Sequence, residues 1–321
     1  MLLELLVLYW MVSAVLFFFP KLLHPAKLNY AKRVFLKPGK IVGVSHRGGM
    51  LEGYDNSMSS FEHSLKVGIK MIEMDVYRTK DGKFVVAHDL NLQRITGQPQ
   101  LISEINYDDI LPFKDEIYCD YGLSYARPNI NKEKPCLLED FIAFVKKNDV
   151  IANLDVKTGK VEDIDVVLNM ASEAGIIHRL VVGAIADFDP MLFRKKYGDE
   201  LSFFFPAKAA FMIFIYFFTG LLPFIPLKYD FYNIPFYFKT LENGNFMREW
   251  KRTKVFLQML LKIKPIFKLL IKHLQARNIP ITYFVVNKID DFKLAIECNA
   301  NALMTDRPQK LMDYLKLKEL C

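Results

Sequence analysis

The sequence predicts an α/β fold, a (β/α)₈ barrel of the TIM type, from three observations. Eight short apolar runs have the length of strands, helix-length amphipathic segments separate most of them, and polar residues cluster where several runs end. Strands that alternate with helices form a parallel sheet with right-handed crossovers. An open doubly wound sheet is the alternative, but no G-x-G-x-x-G loop follows the first run.

The predicted barrel spans residues 40–316. Its eight predicted strands cover residues 40–46, 69–76, 83–89, 150–157, 179–185, 201–205, 281–287 and 302–305. With 321 residues, of which 52% are hydrophobic, the chain is long enough for one large α/β domain. In such a barrel the active site lies at the carboxyl ends of the strands.

An apolar segment precedes the barrel. Residues 2–20 contain one charged side chain, Glu4, and are long enough to cross a bilayer. A cleaved signal peptide is the alternative, but no basic residue precedes the apolar run and no small-x-small site follows it. We therefore predict a transmembrane anchor over residues 1–22 and a basic linker over residues 23–39. The lysines and arginines of the linker favour a cytosolic barrel on an internal membrane such as the endoplasmic reticulum, with a luminal barrel as the alternative.

A second apolar segment, residues 209–227, interrupts the alternation of strands and helices. Hydropathy alone indicates a second span, but a single crossing would place two parts of one barrel on opposite sides of the bilayer. We therefore expect an insertion over about residues 206–262 that lies on or dips into the membrane, because Pro223 and Pro226 interrupt any helix. A buried hairpin is the alternative. Residues 248–277 mix basic and apolar side chains, as an interfacial amphipathic helix does.

Charge and cysteine content narrow the class of protein. The net charge of +7 lies largely beside the apolar segments, which favours a membrane surface over nucleic acid as the partner. No C-x-x-C spacing is present, so the cysteines predict neither a zinc site nor a disulfide framework. We expect four free thiols, at Cys119, Cys136, Cys298 and Cys321.

Carboxylates occupy two of the predicted strands. Glu73 and Asp75 are two residues apart, so their side chains share one face of the strand about 7 Å apart. Asp155 and Lys157 repeat this spacing. Charges inside a barrel need partners or a metal ion, and carboxylates suit Mg²⁺ or Ca²⁺ better than Zn²⁺. The three acids therefore predict one divalent cation, with a salt bridge as the alternative for any single acid.

Two histidines end predicted strands, His46 in VSHRGG and His88 in VVAHD. One such histidine alone would be structural, but a pair on either side of a carboxylate strand fits a general acid and a general base. Arg47 and Lys157 are then predicted to bind phosphate oxygens. A metal, two cationic side chains and two imidazoles together indicate a phosphodiester site.

At these residues the sequence resembles the glycerophosphodiester phosphodiesterase family. The motifs that carry the resemblance are HRG (46–48), DNSMSSF (55–61), EMDVYRTKDGKFVVAHD (73–89), LDVK (154–157) and MTDRP (304–308). Within the family the chain is similar to the membrane-anchored lysophospholipase D subgroup, and this likeness extends through the anchor and FFTGLLPFIPL. The resemblance implies a (β/α)₈ barrel, a divalent metal held by Glu73, Asp75 and Asp155, and acid/base roles for His46 and His88, with His88 as a further candidate metal ligand.

Two positions depart from the family pattern. Asp55-Asn56-Ser57 stands where Glu-Asn-Thr is usual, and Phe284 stands where a late strand often has Trp. The resemblance implies release of the headgroup alcohol from lysophospholipids, giving lysophosphatidic acid, with a cyclic phosphate as one route. Hydrolysis of water-soluble glycerophosphodiesters and an inactive membrane scaffold are the alternatives.

Overall fold

The computed structural model describes residues 1–24, 28–118, 124–126, 131–236 and 264–321. Its strands are β1 (Val42–Ser45), β2 (Met71–Arg78), β3 (Phe84–Val86), β4 (Glu116–Tyr118), β5 (Ser124–Ala126), β6 (Ile151–Val156), β7 (Leu180–Ala184), β8 (Ser202–Phe203), β9 (Tyr232–Pro235), β10 (Ile281–Phe284) and β11 (Ala302–Thr305). Its α-helices are α1 (Leu2–Phe18), α2 (Tyr30–Phe35), α3 (Met58–Val67), α4 (Leu138–Lys147), α5 (Val161–Glu173), α6 (Pro190–Tyr197), α7 (Ala207–Phe218), α8 (Lys264–Ala276), α9 (Ile289–Glu297) and α10 (Pro308–Leu317).

Eight parallel strands form the central sheet, in the order β8, β7, β6, β2, β1, β11, β10 and β9. An isolated parallel bridge between Phe204 and Phe231 joins the two outer strands, so the sheet curls back on itself. Each of the eight strands neighbours the next one along the chain, without the reversal of order that marks a doubly wound sheet. This is a TIM-like α/β architecture, as predicted.

Two strands differ from the prediction. The run over residues 83–89 forms the short strand β3, which pairs antiparallel with β2 and lies outside the parallel ring. The sixth strand of the ring is β9, which lies within the insertion predicted over about residues 206–262. Apolar content does not show the direction of a strand, and the sequence Tyr-Asn-Ile-Pro of β9 is too short and too polar to stand out.

The predicted insertion over about residues 206–262 is corrected in its described part. Helix α7 follows β8 as a barrel helix and buries Ile213 and Phe214 against the core. Strand β9 then completes the ring, so Ala207–Phe218 and Tyr232–Pro235 both belong to the barrel. Residues 237–262 of the predicted insertion, and residues 248–263 of the predicted amphipathic helix, lie outside the described residues.

The predicted basic linker contains helix α2, which closes the amino end of the barrel. Asn29 caps it by accepting a hydrogen bond from the Lys32 backbone N–H. The side chains of Ala31 and Phe35 are fully buried in a cluster at the amino end of the ring, with residues such as Val42 and Phe231. The ammonium of Lys32 lies 2.7 Å from the carboxylate of Asp230. Residues 30–35 are therefore part of the folded domain.

Helix α1 has 17 residues, Leu2–Phe18. Within the described ranges, none of the helices combines the length and the apolar character needed to cross a bilayer. The predicted anchor over residues 1–22 therefore stays a prediction.

Three of the predicted free thiols are confirmed. Cys136, Cys298 and Cys321 form no disulfide, and Cys119 lies outside the described residues.

Candidate active site

Polar side chains meet at the carboxyl ends of four neighbouring strands. His46 follows β1, Glu73 and Asp75 lie in β2, Asp155 lies in β6, and Asp306 follows β11. The register pairs Asp75 directly with Asp155. The predicted acids and the predicted histidine therefore share one edge of the barrel, the edge where active sites of this architecture lie.

His46 is buried and bonded to an acid that spacing did not predict. Its Nδ1 lies 2.6 Å from Oδ1 of Asp306, which is fully buried. Asn287 fixes this acid: its side-chain amide donates to Asp306 Oδ2 at 2.7 Å, and its carbonyl accepts from the Asp306 backbone N–H at 2.9 Å. Burial lowers the pKa of His46, while the Asp306 carboxylate partly offsets that effect. An ionised carboxylate only accepts, so Nδ1 carries the proton and Nε2 is left to react.

Arg47 turns the chain toward the carboxylates. Its backbone lies in the left-handed region, with φ of 51°, which is unusual for a residue other than glycine. This turn directs its N–H to Oε2 of Glu73, at 2.8 Å. The guanidinium Nε lies 4.0 Å from Oδ2 of Asp75, and the whole residue is buried. Arg47 therefore lies beside the acids, where an anionic substrate would find a cation.

Lys157 lies between two acids. Its Nζ is 2.5 Å from Oδ2 of Asp155 and 3.2 Å from Oδ1 of Asp75. Burial opposes the ionisation of Asp75, but the charges of His88 and Lys157 outweigh it and lower the Asp75 pKa to about 2. The carboxylate of Asp75 is thus ionised throughout the physiological range.

This arrangement disfavours the ionised form of Glu73. Burial raises the pKa of Glu73 well above its ordinary value, and the neighbouring charge of Asp75 raises it further. Burial likewise raises the pKa of Asp155, although Lys157 opposes that shift. The pocket therefore has more buried carboxylates than its cations fully stabilise, a situation that a bound divalent cation would relieve.

The carboxylate oxygens of Glu73, Asp75 and Asp155 are of the type that binds a hard cation, but they are not arranged around a common centre. Within the part of the chain that the structure describes, no group of three or more His, Cys, Asp or Glu side chains has the geometry of a metal site. The Lys157 ammonium occupies the space between Asp75 and Asp155 instead. These oxygen ligands suit Mg²⁺ or Ca²⁺, provided that Lys157 moves aside.

His88 has a carboxylate of its own. Its Nδ1 lies 2.8 Å from Oδ1 of Asp89, so this imidazole also presents Nε2. Arg94 holds Asp89 through its Nε and reaches Asp55 with a terminal nitrogen, 2.6 Å from Oδ2. The His88 side chain is 28% exposed, against 11% for His46, so His88 has more access to solvent and to a departing group.

Asn56 connects these groups to the acids. Its backbone, with φ of 57°, donates to the Arg47 carbonyl at 2.8 Å, and its side-chain amide lies 3.4 Å from Oδ2 of Asp75. The unusual Asp55 beside it forms the ion pair with Arg94. The departure at Asp55-Asn56-Ser57 thus keeps a carboxylate that orders the loop before α3, where Ser57 caps the helix.

Sequence reasoning missed Asp306, Asp89, Arg94 and Asn287 as members of the site. Asp306 lies in the MTDRP motif and Asp89 directly follows His88, so the sequence contained a signal for both. Nothing in the local sequence marks Asn287, because its role depends on the contact between the ends of β10 and β11. Six of the predicted site residues do lie together: His46, Arg47, Glu73, Asp75, Asp155 and Lys157. The seventh, His88, acts electrostatically on Asp75 and Asp155.

Comparison with known proteins decides the family. A model of the glycerophosphoryl diester phosphodiesterase family matches residues 46–310, which include every residue of this site. The chain belongs to this family. Family membership indicates that the protein is a phosphoric diester hydrolase, as the sequence resemblance implied.

Two curated relatives of this phosphodiesterase cover most of its length. Human Lysophospholipase D GDPD1 is 32% identical over 96% of this chain and 94% of its own. Human Lysophospholipase D GDPD3 is 25% identical over 84% of each chain.

Two crystal structures show the same fold. A glycerophosphoryl diester phosphodiesterase from Parabacteroides distasonis matches with a TM-score of 0.59 and 15% identity, covering 91% of this chain and 93% of its own. The glycerophosphodiester phosphodiesterase from Thermotoga maritima matches with a TM-score of 0.55 and 15% identity, covering 85% of this chain and 97% of its own.

Proposed function

We propose that this phosphodiesterase releases the headgroup alcohol from lysophospholipids and yields lysophosphatidic acid. The observation that carries the proposal is the pair of imidazoles, His46 on Asp306 and His88 on Asp89, each held through Nδ1 so that Nε2 is left for a reactant. The relatives named Lysophospholipase D support the choice of a lipid substrate.

His46 serves as the general base in this mechanism. Its lowered pKa keeps the imidazole neutral near neutral pH. Its Nε2 takes the proton of the free glycerol hydroxyl, and the hydroxyl oxygen forms a bond to phosphorus. The bond between phosphorus and the headgroup oxygen breaks, and the His88 imidazolium gives that oxygen a proton. The product is a cyclic phosphate, which water opens to lysophosphatidic acid.

The carboxylates are the proposed ligands of a divalent cation, Mg²⁺ or Ca²⁺. Glu73, Asp75 and Asp155 would hold it, and it would neutralise charge on the phosphate oxygens. His88, the further ligand that the resemblance implies, is assigned here to proton donation instead. Such a cation would take over from Lys157 as the counter-charge of Asp75 and Asp155. The Lys157 ammonium and the Arg47 guanidinium would then serve the phosphate oxygens.

The exposed apolar surfaces of α1 and α7 favour a location at a membrane. Large side chains such as Leu8 and Phe211 are more than half exposed on these helices. We further propose that the enzyme works at an internal membrane with its barrel on the cytosolic side, where anionic lipids would attract the basic residues after α1. Water-soluble glycerophosphodiesters are the second candidate substrate, because the same pair of histidines can cleave them.

A substrate panel tests the proposal. Choline release is measured from lysophosphatidylcholine and from glycerophosphocholine, with Mg²⁺, with Ca²⁺ and with a chelator, while ³¹P NMR follows the phosphorus products. We expect a kcat/KM at least tenfold higher for the lysolipid, and a cyclic phosphate that precedes lysophosphatidic acid. Equal or better turnover of glycerophosphocholine would contradict the lipid assignment.

A further inference from the structure

Helix α1 docks on the barrel along one stripe. The Tyr9 hydroxyl donates to the Thr219 carbonyl at 2.7 Å, and the Ser13 hydroxyl donates to the Gly220 carbonyl at 2.7 Å. Tyr9 and Ser13 are four residues apart and therefore lie on the same face of the helix. Ser13 is the fully docked member, with 4% of its surface exposed.

Ring contacts reinforce this stripe and extend it toward the end of the helix. The Trp10 ring lies so close to Gly220 that a Cβ there would come within 2.6 Å of it, at a position whose φ is 72°. Near the other end of the helix, the Phe17 ring stacks on the His273 ring with centroids 4.4 Å apart, and His273 Nδ1 lies 2.8 Å from the Phe17 carbonyl oxygen. Helix α1 is thus fixed to α7 and α8 over more than two turns.

The docking site lies at the end of the barrel opposite the active site. Thr219 and Gly220 directly follow α7, and His273 is in the last turn of α8. Barrel helices run back from the carboxyl edge of the sheet to its amino edge, so their last turns lie at the amino edge. His46 and Asp306 lie at the carboxyl edge.

The opposite face of α1 is apolar and exposed. Its large apolar side chains are between 41% and 64% exposed: Leu8, Met11, Val12, Val15 and Phe18. The Phe17 and Phe217 rings lie 5.8 Å apart, which brings the outer face of α7 alongside, where Phe211 and Phe218 are also more than half exposed. Contiguous exposed apolar side chains of this kind mark a surface that binds a partner or a membrane.

The charges around this surface identify the partner. The only carboxylate on α1, α7 and α8 is Glu4, which lies 3.0 Å from the terminal amine. The lysines on α7 and α8 are Lys208, Lys264, Lys268 and Lys272, of which Lys264 is paired with Glu297 of α9. An apolar surface flanked by lysines is complementary to a bilayer with anionic headgroups, whereas a second copy of the chain would bring like charges together.

We propose that α1 is an interfacial helix and does not cross the membrane. Docked on the barrel, it forms one surface with the outer face of α7 and the lysines of α8, and this surface lies on an anionic bilayer. A crossing helix would carry its docking contacts into the hydrocarbon, together with the Arg277 guanidinium, which donates to the Leu222 and Ile225 carbonyls beside them. The amino terminus and the barrel therefore lie on the same side.

The side of the membrane on which the amino terminus lies tests the proposal directly. The inference rests on the membrane contact proposed above, but its readouts are binding and accessibility, so it can fail while the proposed activity holds. The full chain with a protease-cleavable tag at Met1 is added to sealed vesicles of phosphatidylcholine with or without phosphatidylserine. We expect flotation several-fold greater with phosphatidylserine, and complete removal of the tag by external protease. A tag that is protected until detergent is added would show a crossing helix and overturn the proposal.

Paired variants test whether this surface, and not another part of the protein, binds the vesicles. Met11→Asp with Val15→Asp, and Lys268→Glu with Lys272→Glu, should each lower vesicle binding at least tenfold. The controls are Leu192→Asp, at an exposed apolar position of α6, and Lys146→Glu with Lys147→Glu on α4; both should bind normally. Unchanged binding of the first two variants would contradict the proposal. Lipid-free dimers that Met11→Asp with Val15→Asp abolishes would assign the surface to a second copy instead.

Discussion

The imidazole of His46 and the carboxylate of Asp306 meet at 2.6 Å between Nδ1 and Oδ1, although 260 residues separate them in the chain. This contact fixes the tautomer of the proposed base. We predict that Asp306→Asn lowers kcat about 10²-fold or more, because the imidazolium formed during catalysis loses its counter-charge. The same change should move the acid limb of kcat/KM to lower pH, because the Asp306 carboxylate raises the pKa of His46 against the effect of burial.

A pH profile separates this role from a merely structural one. Asp313→Asn, which changes an exposed acid on α10, is the matched control and should leave both kcat and the profile unchanged. An Asp306→Asn enzyme whose acid limb keeps its position, or moves to higher pH, would refute the assignment of His46 as base.

Arg94 positions the second histidine. It binds Asp89, whose other oxygen holds His88, and its guanidinium also reaches Asp55. A lysine keeps the charge but cannot form both contacts. We therefore expect Arg94→Lys to lower kcat about tenfold at little change in KM, because the variant loses part of the roughly 10²- to 10⁴-fold contribution of a positioned proton donor.

The conservative change Arg33→Lys, at an exposed position of α2, is the control for Arg94. Steady-state kinetics of both variants, with thermal unfolding as a check on folding, give the answer. A loss in Arg94→Lys that appears only in KM would assign Arg94 to substrate binding instead.

Glu73→Gln tests the proposed metal ligands without an activity assay. Glutamine can still accept the Arg47 N–H, and it removes the charge repulsion with Asp75 that helps to raise the Glu73 pKa. We predict that the metal-free variant is at least as stable as the unchanged protein. Addition of Mg²⁺ or Ca²⁺ at a hundred times its Kd should stabilise the unchanged protein by about 2.7 kcal/mol and the variant by much less. An equal rise in Tm for both proteins would exclude Glu73 as a ligand.

His273 makes stability depend on pH. Its pKa is lowered from 6.5 to about 4, chiefly by burial and also by the charges of Arg277 and His24, although the hydrogen bond to the Phe17 carbonyl opposes the shift. Between pH 4 and 6.5 the unfolded chain therefore binds a proton that the folded chain does not bind. The free energy of unfolding should fall as the pH falls through this window, by up to about 3 kcal/mol.

Urea unfolding at pH 7.5 and pH 5 measures this effect. His273→Gln can still donate to the Phe17 carbonyl but does not titrate, so its pH dependence should be weaker. His63→Gln, which changes an imidazole bonded to Glu52, is the control. Equal pH dependence of the unchanged protein and His273→Gln would show that His273 is not the titrating group.

The sequence predicted most of the fold because alternating strands and helices have different periods. It did not predict the place of β3 and β9, because strand direction and membership of the ring depend on contacts between distant residues. Helix α2 was also missed, since a six-residue amphipathic segment among lysines has the composition of a linker. What fixes α2 is the burial of Phe35 at the amino end of the barrel.

The site was predictable to the extent that strand spacing places side chains. Glu73, Asp75, Asp155 and Lys157 follow from a period of two within strands. The partners Asp306 and Arg94 depend on which strand ends and loops become neighbours, and no local pattern contains that information. Hydropathy likewise identifies α1 as apolar but does not distinguish a helix that crosses a bilayer from one that docks through Ser13 and Phe17.

In the proposed mechanism the imidazoles of His46 and His88, each held by a carboxylate, cleave a phosphodiester. Headgroup release from lysophosphatidylcholine, measured with the unchanged protein, His46→Ala and His88→Ala at equal folded concentration, tests it most directly. We predict steady choline release by the unchanged protein and a loss of about 10²- to 10⁴-fold in each variant. Turnover by either variant within a few fold of the unchanged protein would contradict the claim.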